Sequence, residues 1–162
     1  MDSYIAWNDD FLDWLLKCKG RGDNGYTAFY ENVDTILLGR RTYEGILKNV
    51  QGAFPYEGKE CYVFSRTLRE QTANVTFLNQ NIARFTACLK NKPGQNIWIV
   101  GGQEILIPLF EQNLVDEFII HVAPAIIGQG ILLFKPGSYE MTLQLLKVTQ
   151  YNEFVELYYQ RT

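Results

Sequence analysis

Three short segments of this 162-residue chain carry residue types suited to holding a phosphate. In "LLGRRTYEGI" an apolar run ends at Gly39, Arg40 and Arg41 follow, and Thr42 stands near the start of a helix-like pattern as a candidate cap. In "VFSRTL" a second apolar run ends in Ser65 and Arg66, and in "IWIVGGQEIL" a third meets Gly101 and Gly102 before a helical pattern resumes. Arginine binds phosphate through paired, charge-assisted hydrogen bonds. Glycine lets backbone N–H groups approach an anion closely, and a helix that begins there adds partial positive charge. Each signal is weak alone. A glycine pair serves equally well for chain reversal, and adjacent arginines are more often solvated surface charges. Three such joints at the carboxyl ends of strands in one sheet point to a phosphate-bearing cofactor, because that edge forms a crevice into which helix starts project.

The elements that must position these joints follow from periodicity. The pattern predicts strands at "DTILLG", "KECYVFS", "NVTFLN" and "IWIV", and helices at "RRTYEGILKNV", "NIARFTACLKNK" and "QEILIPLFEQN". Residues 9–18 place Phe11, Leu12, Leu15 and Leu16 on one helical face, and a short helix is expected around "YTAFYENV". Near the end come a strand at "VDEFIIHVAP", a Gly-x-Gly turn in "IIGQGILLF", and a hairpin turning at Asn152. Strands alternating with helices predict a largely parallel sheet covered on both faces, with antiparallel edge strands from the hairpin.

Composition sets outer limits. A hydrophobic fraction of 47% is enough for one sizeable core, and the length asks for no second domain, so residues 1–162 read as one. The net charge of −3 argues against a general nucleic-acid or anionic-membrane binder. Cys18, Cys61 and Cys88 are dispersed and odd in number, which fits reduced thiols in a cytoplasmic protein better than a disulfide framework or zinc site. No stretch approaches the roughly 20 apolar residues of a membrane-spanning helix. His121, alone inside a strand, reads as a packed or hydrogen-bonded side chain, and a metal site is not expected. Phe29, Tyr30 and Tyr56 suit core packing or the wall of a pocket for a flat heterocycle.

Taken in order with "FIIHVAPAIIGQGILLF", the three joints resemble the dihydrofolate reductase superfamily. The closest branch is that of the C-terminal reductase domain of bifunctional riboflavin-biosynthesis enzymes and its stand-alone relatives. The resemblance runs from about Asp2 to Tyr159. It implies a three-layer α/β/α fold with a mostly parallel central sheet and a C-terminal antiparallel hairpin, binding NADPH. Gly39, Arg40, Arg41 and Thr42 match the loop around the adenosine-side phosphates, and Ser65 and Arg66 match the element near the ribose 2′-phosphate, favouring NADPH over NADH. Gly101, Gly102, Gln103 and Glu104 match the segment near the pyrophosphate and nicotinamide ribose, and Gly128 and Gly130 a late loop beside the cofactor cleft.

The resemblance also implies an enzyme that reduces a pyrimidine- or pterin-like heterocycle by hydride transfer. The nearest activity is reduction of 5-amino-6-(5-phosphoribosylamino)uracil, with dihydrofolate reduction and a non-catalytic NADPH-binding or truncated relative as alternatives. A second copy of the chain is a candidate partner, since homodimers are common in the family. Relatives open with an apolar strand, a segment like "SLDGYIA" and an acidic-aromatic segment like "VDWL". Here "MDSYIAWNDDFLDWLL" starts at the second piece, so the family's first strand is expected to be absent. Reduction of a C=N bond needs a proton donor, and Asp10 and Asp13, beside Trp7 and Trp14, are the candidates, with a helix N-terminal role as the alternative for the acids.

Overall fold

The computed structural model describes residues 1–9, 11–50, 54–67 and 74–162. In chain order its elements are β1 (Tyr4–Ala6), α1 (Asp13–Leu16), α2 (Tyr26–Tyr30), β2 (Val33–Gly39), α3 (Arg40–Asn49), β3 (Glu60–Phe64) and β4 (Val75–Leu78). There follow α4 (Ile82–Lys90), β5 (Asn96–Gly101), α5 (Gln103–Glu111), β6 (Glu117–Val122), β7 (Ile131–Leu132), β8 (Leu143–Tyr151) and β9 (Phe154–Arg161). They fall into two compact units, Ala28–Leu114 and the pair of segments Met1–Thr27 and Val115–Thr162.

The Ala28–Leu114 unit is built on a four-stranded parallel sheet in the order β4-β3-β2-β5. Successive strand residues point to opposite faces, so a strand buried on both must be apolar without alternation. β2 meets that demand, since Ile36, Leu37 and Leu38 are all fully buried. Its neighbours pack Val63, Cys61 and Val75 into the same core, and Phe29, Tyr30, Phe54 and Trp98 pack against it. The Trp98 ring meets Phe29 edge-on at 5.2 Å and Tyr56 at 5.5 Å, so these aromatics are spent on packing. Burial pushes the Cys61 thiol up to about 11. Asn81 caps α4, its side chain accepting the Arg84 N–H at 2.9 Å.

Parallel register brings three strand ends to one edge. Leu38 lies beside Val63, Gly39 beside Phe64, and Leu38 beside Gly101 on the other flank. The joints singled out in the sequence therefore leave the sheet together.

The other unit holds a three-stranded antiparallel sheet in the order β6-β9-β8 and the two-stranded β1-β7 pair. The β8-β9 hairpin turns at Asn152, whose φ of +57° is one that asparagine tolerates better than most residues. His121 faces Glu156 across β6-β9, 3.0 Å from Nε2 to Oε2, and stacks near Tyr151. It has the structural role expected of it. Residues Tyr4–Ala6, in the segment that resembles the family's second piece, form a short strand antiparallel to β7.

One predicted element shrinks. The helix expected over residues 9–18 is a single turn, Asp13–Leu16, and two members of its apolar face, Phe11 and Leu16, are 60% and 82% exposed. Asp9 Oδ1 accepts the Phe11 N–H, a local bond that competes with helix formation before α1. A single turn with no buried residue gains little against the cost of nucleation.

Candidate functional site

The sheet edge of the Ala28–Leu114 unit gathers Gly39, Thr42, Gly101 and Gly102. Gly39 and Gly102 occupy the positions just before α3 and α5, and neither helix start is closed by a side-chain hydrogen bond from its cap. The first N–H groups of an α-helix have no partner within it, so two sets of backbone donors begin side by side. A Cβ on Gly39 would lie 3.1 Å from the Gly102 nitrogen, and one on Gly102 would lie 3.3 Å from Thr42 Oγ1. The backbones approach that closely because neither residue has a side chain. Gly101, at φ +125°, adopts a conformation that favours glycine, and its peptide bond to Gly102 is cis. Gln103 and Glu104 open α5, with Glu104 exposed.

The second strand end joins the first through Arg40. Its Nε lies 2.7 Å from Glu44 Oε1, one helical turn on, and its Nη1 donates to Thr67 Oγ1. The Thr67 N–H donates to the Oγ of buried Ser65 at 3.3 Å. Gly39–Arg40 and Ser65–Thr67 thus form one linked surface, with Arg41 and Arg66 also exposed. Thr67 and Glu44 were not singled out in the sequence. A lone threonine carries no signal, although Glu44 sits at the i+4 spacing from Arg40 that pairs on a helix.

Gly128 and Gly130 belong to the other unit. Asp2 Oδ2 accepts the N–H groups of Ile127 at 2.8 Å and Gly128 at 2.7 Å. The Gly128 bond is the main reason the Asp2 carboxyl titrates below its ordinary range. A Cβ on Gly130, whose φ is +147°, would stand 2.1 Å from the Ala6 carbonyl oxygen. The approach of β1 therefore requires glycine there. In the same unit Trp7, Trp14, Lys17, Pro124, Ile127 and Glu153, among others, line an open cleft of about 700 Å³. Glu153 Oε2 accepts the Lys19 N–H at 2.7 Å. Asp13 is exposed at the start of α1, and Asp10 lies outside the described residues. No cluster of metal-ligating side chains occurs among the described residues, and no described helix is long and apolar enough to cross a membrane.

The parallel sheet with glycine-bearing helix starts at its carboxyl edge and the antiparallel strands make an α/β fold, and its match to solved structures of RibD type makes it one of the dihydrofolate reductase type. Residues 26–157 match the RibD C-terminal domain, and the chain belongs to that family. It is 44% identical over 162 residues to the uncharacterized protein YwjB of Bacillus subtilis (strain 168), covering 99% of this chain and 92% of YwjB. It is 31% identical to the uncharacterized protein YyaP of the same organism, covering 96% and 86% respectively. A solved structure from Shewanella sp. PV-4 that carries a riboflavin biosynthesis name superposes with a TM-score of 0.88 at 25% identity, over 100% of this chain and 94% of that one. RibD of Acinetobacter baumannii shares the fold at a TM-score of 0.70 and 14% identity, over 99% of this chain and 55% of that longer protein.

Proposed function

We propose that the protein is an NADPH-dependent reductase of a pyrimidine- or pterin-like heterocycle, with reduction of 5-amino-6-(5-phosphoribosylamino)uracil as the nearest activity. The observation that carries this reading is the side-by-side approach of Gly39 and Gly101–Gly102 before two helix starts. That surface fits a dinucleotide phosphate, because it offers backbone donors with no side chain in the way. Arg40, Arg41, Thr42, Ser65 and Arg66 would hold the phosphates and the ribose 2′-phosphate, and Gln103 and Glu104 would stand near the nicotinamide ribose. The bound cofactor supplies a hydride. What the chain supplies is binding energy and orientation for each ligand. Asp13, exposed at the start of α1, is the described candidate for the proton that the reduction also requires. A flat ring suits the cleft beside Trp7, Trp14 and Pro124, where indole faces offer stacking and Lys17 and Glu153 offer polar contacts.

The test is a thermal-shift titration with NADPH and, separately, NADH, followed by assay of NADPH oxidation with the aminouracil substrate. A ligand at about 100 times its dissociation constant adds roughly 2.7 kcal/mol, worth several degrees in a domain of this size. A rise with NADPH, little with NADH, and turnover are expected. A rise without turnover of any heterocycle would make the protein a cofactor binder, and no rise with either nucleotide would overturn the reading.

A further inference from the structure

Residues 1–6 clasp residues 123–133 of the same unit through backbone and carboxylate hydrogen bonds and a strand pair. Asp2 Oδ2 accepts the Ile127 and Gly128 N–H groups at 2.8 and 2.7 Å. The Met1 nitrogen donates to the Ala125 carbonyl at 2.8 Å, and the Leu133 N–H donates to the Ser3 carbonyl at 2.8 Å. Beyond them β1 pairs with β7, Tyr4 opposite Leu132 and Ala6 opposite Ile131. The loop between these ties, Pro124 to Ile127, lines the 700 Å³ cleft, and so does Trp7, the residue that follows β1.

Side-chain packing holds that loop only in part, through half-buried Ala125 and Ile127. Pro124, Ile126 and Gly128 are all exposed, Ile126 at 73%. A loop so placed keeps one shape only if its backbone groups are tied down, since each residue left free retains conformational entropy that a ligand must then remove. A carboxylate accepting two N–H groups makes strong, charge-assisted ties. We propose that Asp2 is a positioning residue: its carboxylate fixes the Pro124–Gly128 loop as a preformed wall of the cleft, and so raises the affinity of the cleft for a planar pyrimidine. The affinity part rests on the substrate class proposed above, whereas the ordering of the wall does not. The Asp2 carboxyl, held below its ordinary range chiefly by the Gly128 N–H, stays ionised throughout the neutral range. The Met1 amino group, 3.9 Å away, is the charged neighbour that the structure places beside it.

The experiment compares the full chain with its Asp2→Ala and Asp2→Asn variants in two measurements. The first is amide hydrogen exchange, resolved at Ile127 and Gly128. The second is the dissociation constant for 5,6-diaminouracil, followed by NMR at pH 7. In Asp2→Ala, exchange at those two amides is expected to rise about tenfold or more while β6, β8 and β9 keep their protection, and diaminouracil binding to weaken about tenfold. Asp2→Asn, which keeps an acceptor oxygen, recovers part of both. Unchanged exchange at Ile127 and Gly128 would overturn the proposal. So would faster exchange with unchanged affinity, which would leave Asp2 a purely structural tie. If the unaltered chain binds no diaminouracil, the substrate class fails, the affinity claim falls with it, and the exchange comparison alone decides whether Asp2 orders the wall.

Discussion

Gly39 and Gly102 stand so close that a methyl group on the first would lie 3.1 Å from the backbone nitrogen of the second. Gly39 itself has φ −77° and ψ 153°, an extended conformation that alanine adopts without strain, so the contact alone decides what a substitution does. Gly39→Ala is expected to push the two helix starts apart by a few tenths of an ångström. Overpacking of this kind costs about 1–3 kcal/mol. Thermal denaturation should show the loss, and NADPH titration a weaker complex. Unaltered stability with full NADPH binding would mean that the closeness of the two strand ends plays no part in the site.

The arginines differ in what they already hold. Arg40 is engaged by Glu44 and Thr67, and through Thr67 it supports the Ser65 turn. Arg40→Ala is therefore expected to weaken NADPH and NADH together. Arg66 is exposed and lies beside the turn, so Arg66→Ala should weaken NADPH by roughly 10- to 100-fold and leave NADH nearly unchanged. Fluorescence titration with both nucleotides checks this. Equal losses for Arg66→Ala would remove that residue from the 2′-phosphate.

Ser3 sits at φ +65°, where a residue with a Cβ is penalised by about 1–2 kcal/mol. In the "SLDGYIA" pattern that this segment resembles, glycine precedes the tyrosine, as Ser3 precedes Tyr4 here. Ser3→Gly should stabilise the chain by up to about 1 kcal/mol, reduced by the greater freedom of glycine in the unfolded state. Calorimetry should record a rise of about 2–4 °C per kcal/mol.

The two glycines of the Gly-x-Gly turn should respond unequally. A Cβ on Gly130 meets the Ala6 oxygen at 2.1 Å, whereas one on Gly128 meets nothing within 4 Å. Gly130→Ala is expected to part β1 from β7 and cost about 2–4 kcal/mol. Gly128→Ala bears only the conformational penalty of its φ of +77°, about 1–2 kcal/mol. Urea denaturation of both variants gives the ranking, and equal losses would contradict it.

Acid should erase one contribution to stability. Asp23 accepts the Thr27 N–H at 2.7 Å and the Gly25 N–H at 3.0 Å, and these bonds, with the Thr27 hydroxyl foremost, lower its carboxyl below the ordinary 3.8. A group whose pKa is lowered by folding stabilises the fold fully above its unfolded value, and the benefit fades as pH falls through the folded one. Asp23→Asn should therefore be less stable than the parent at pH 7. The gap in melting temperature should narrow as pH falls below about 3.8. A gap that stays constant between pH 7 and pH 3 would show that the charge is not the source.

Much of the fold was legible in the sequence because the signals were local. β2, buried on both faces, reads as an unbroken apolar run, and the glycines that end β2 and follow β5 mark the starts of α3 and α5 within a few residues of each strand. What was not legible depended on distant partners. The constraint on Gly130 comes from Ala6, and the partner of Asp2 is Gly128, at a separation of 126 residues. Thr67 acquires its meaning only from an arginine on a neighbouring strand end. The misread helix at residues 9–18 had a sound apolar period, yet Phe11 and Leu16 are largely exposed and the period found no core to face.

The division of the chain also orders events on the ribosome. Ala28–Leu114 is one uninterrupted stretch, so translation delivers all of its strands before Val115 is made. Met1, by contrast, finds its acceptor 124 residues later, and β1 finds β7 only after Ile131 has emerged. At about 5–20 residues per second, the opening segment waits on the order of ten seconds for its partners. The parallel sheet can thus be complete while the N-terminal segment is still a nascent tail.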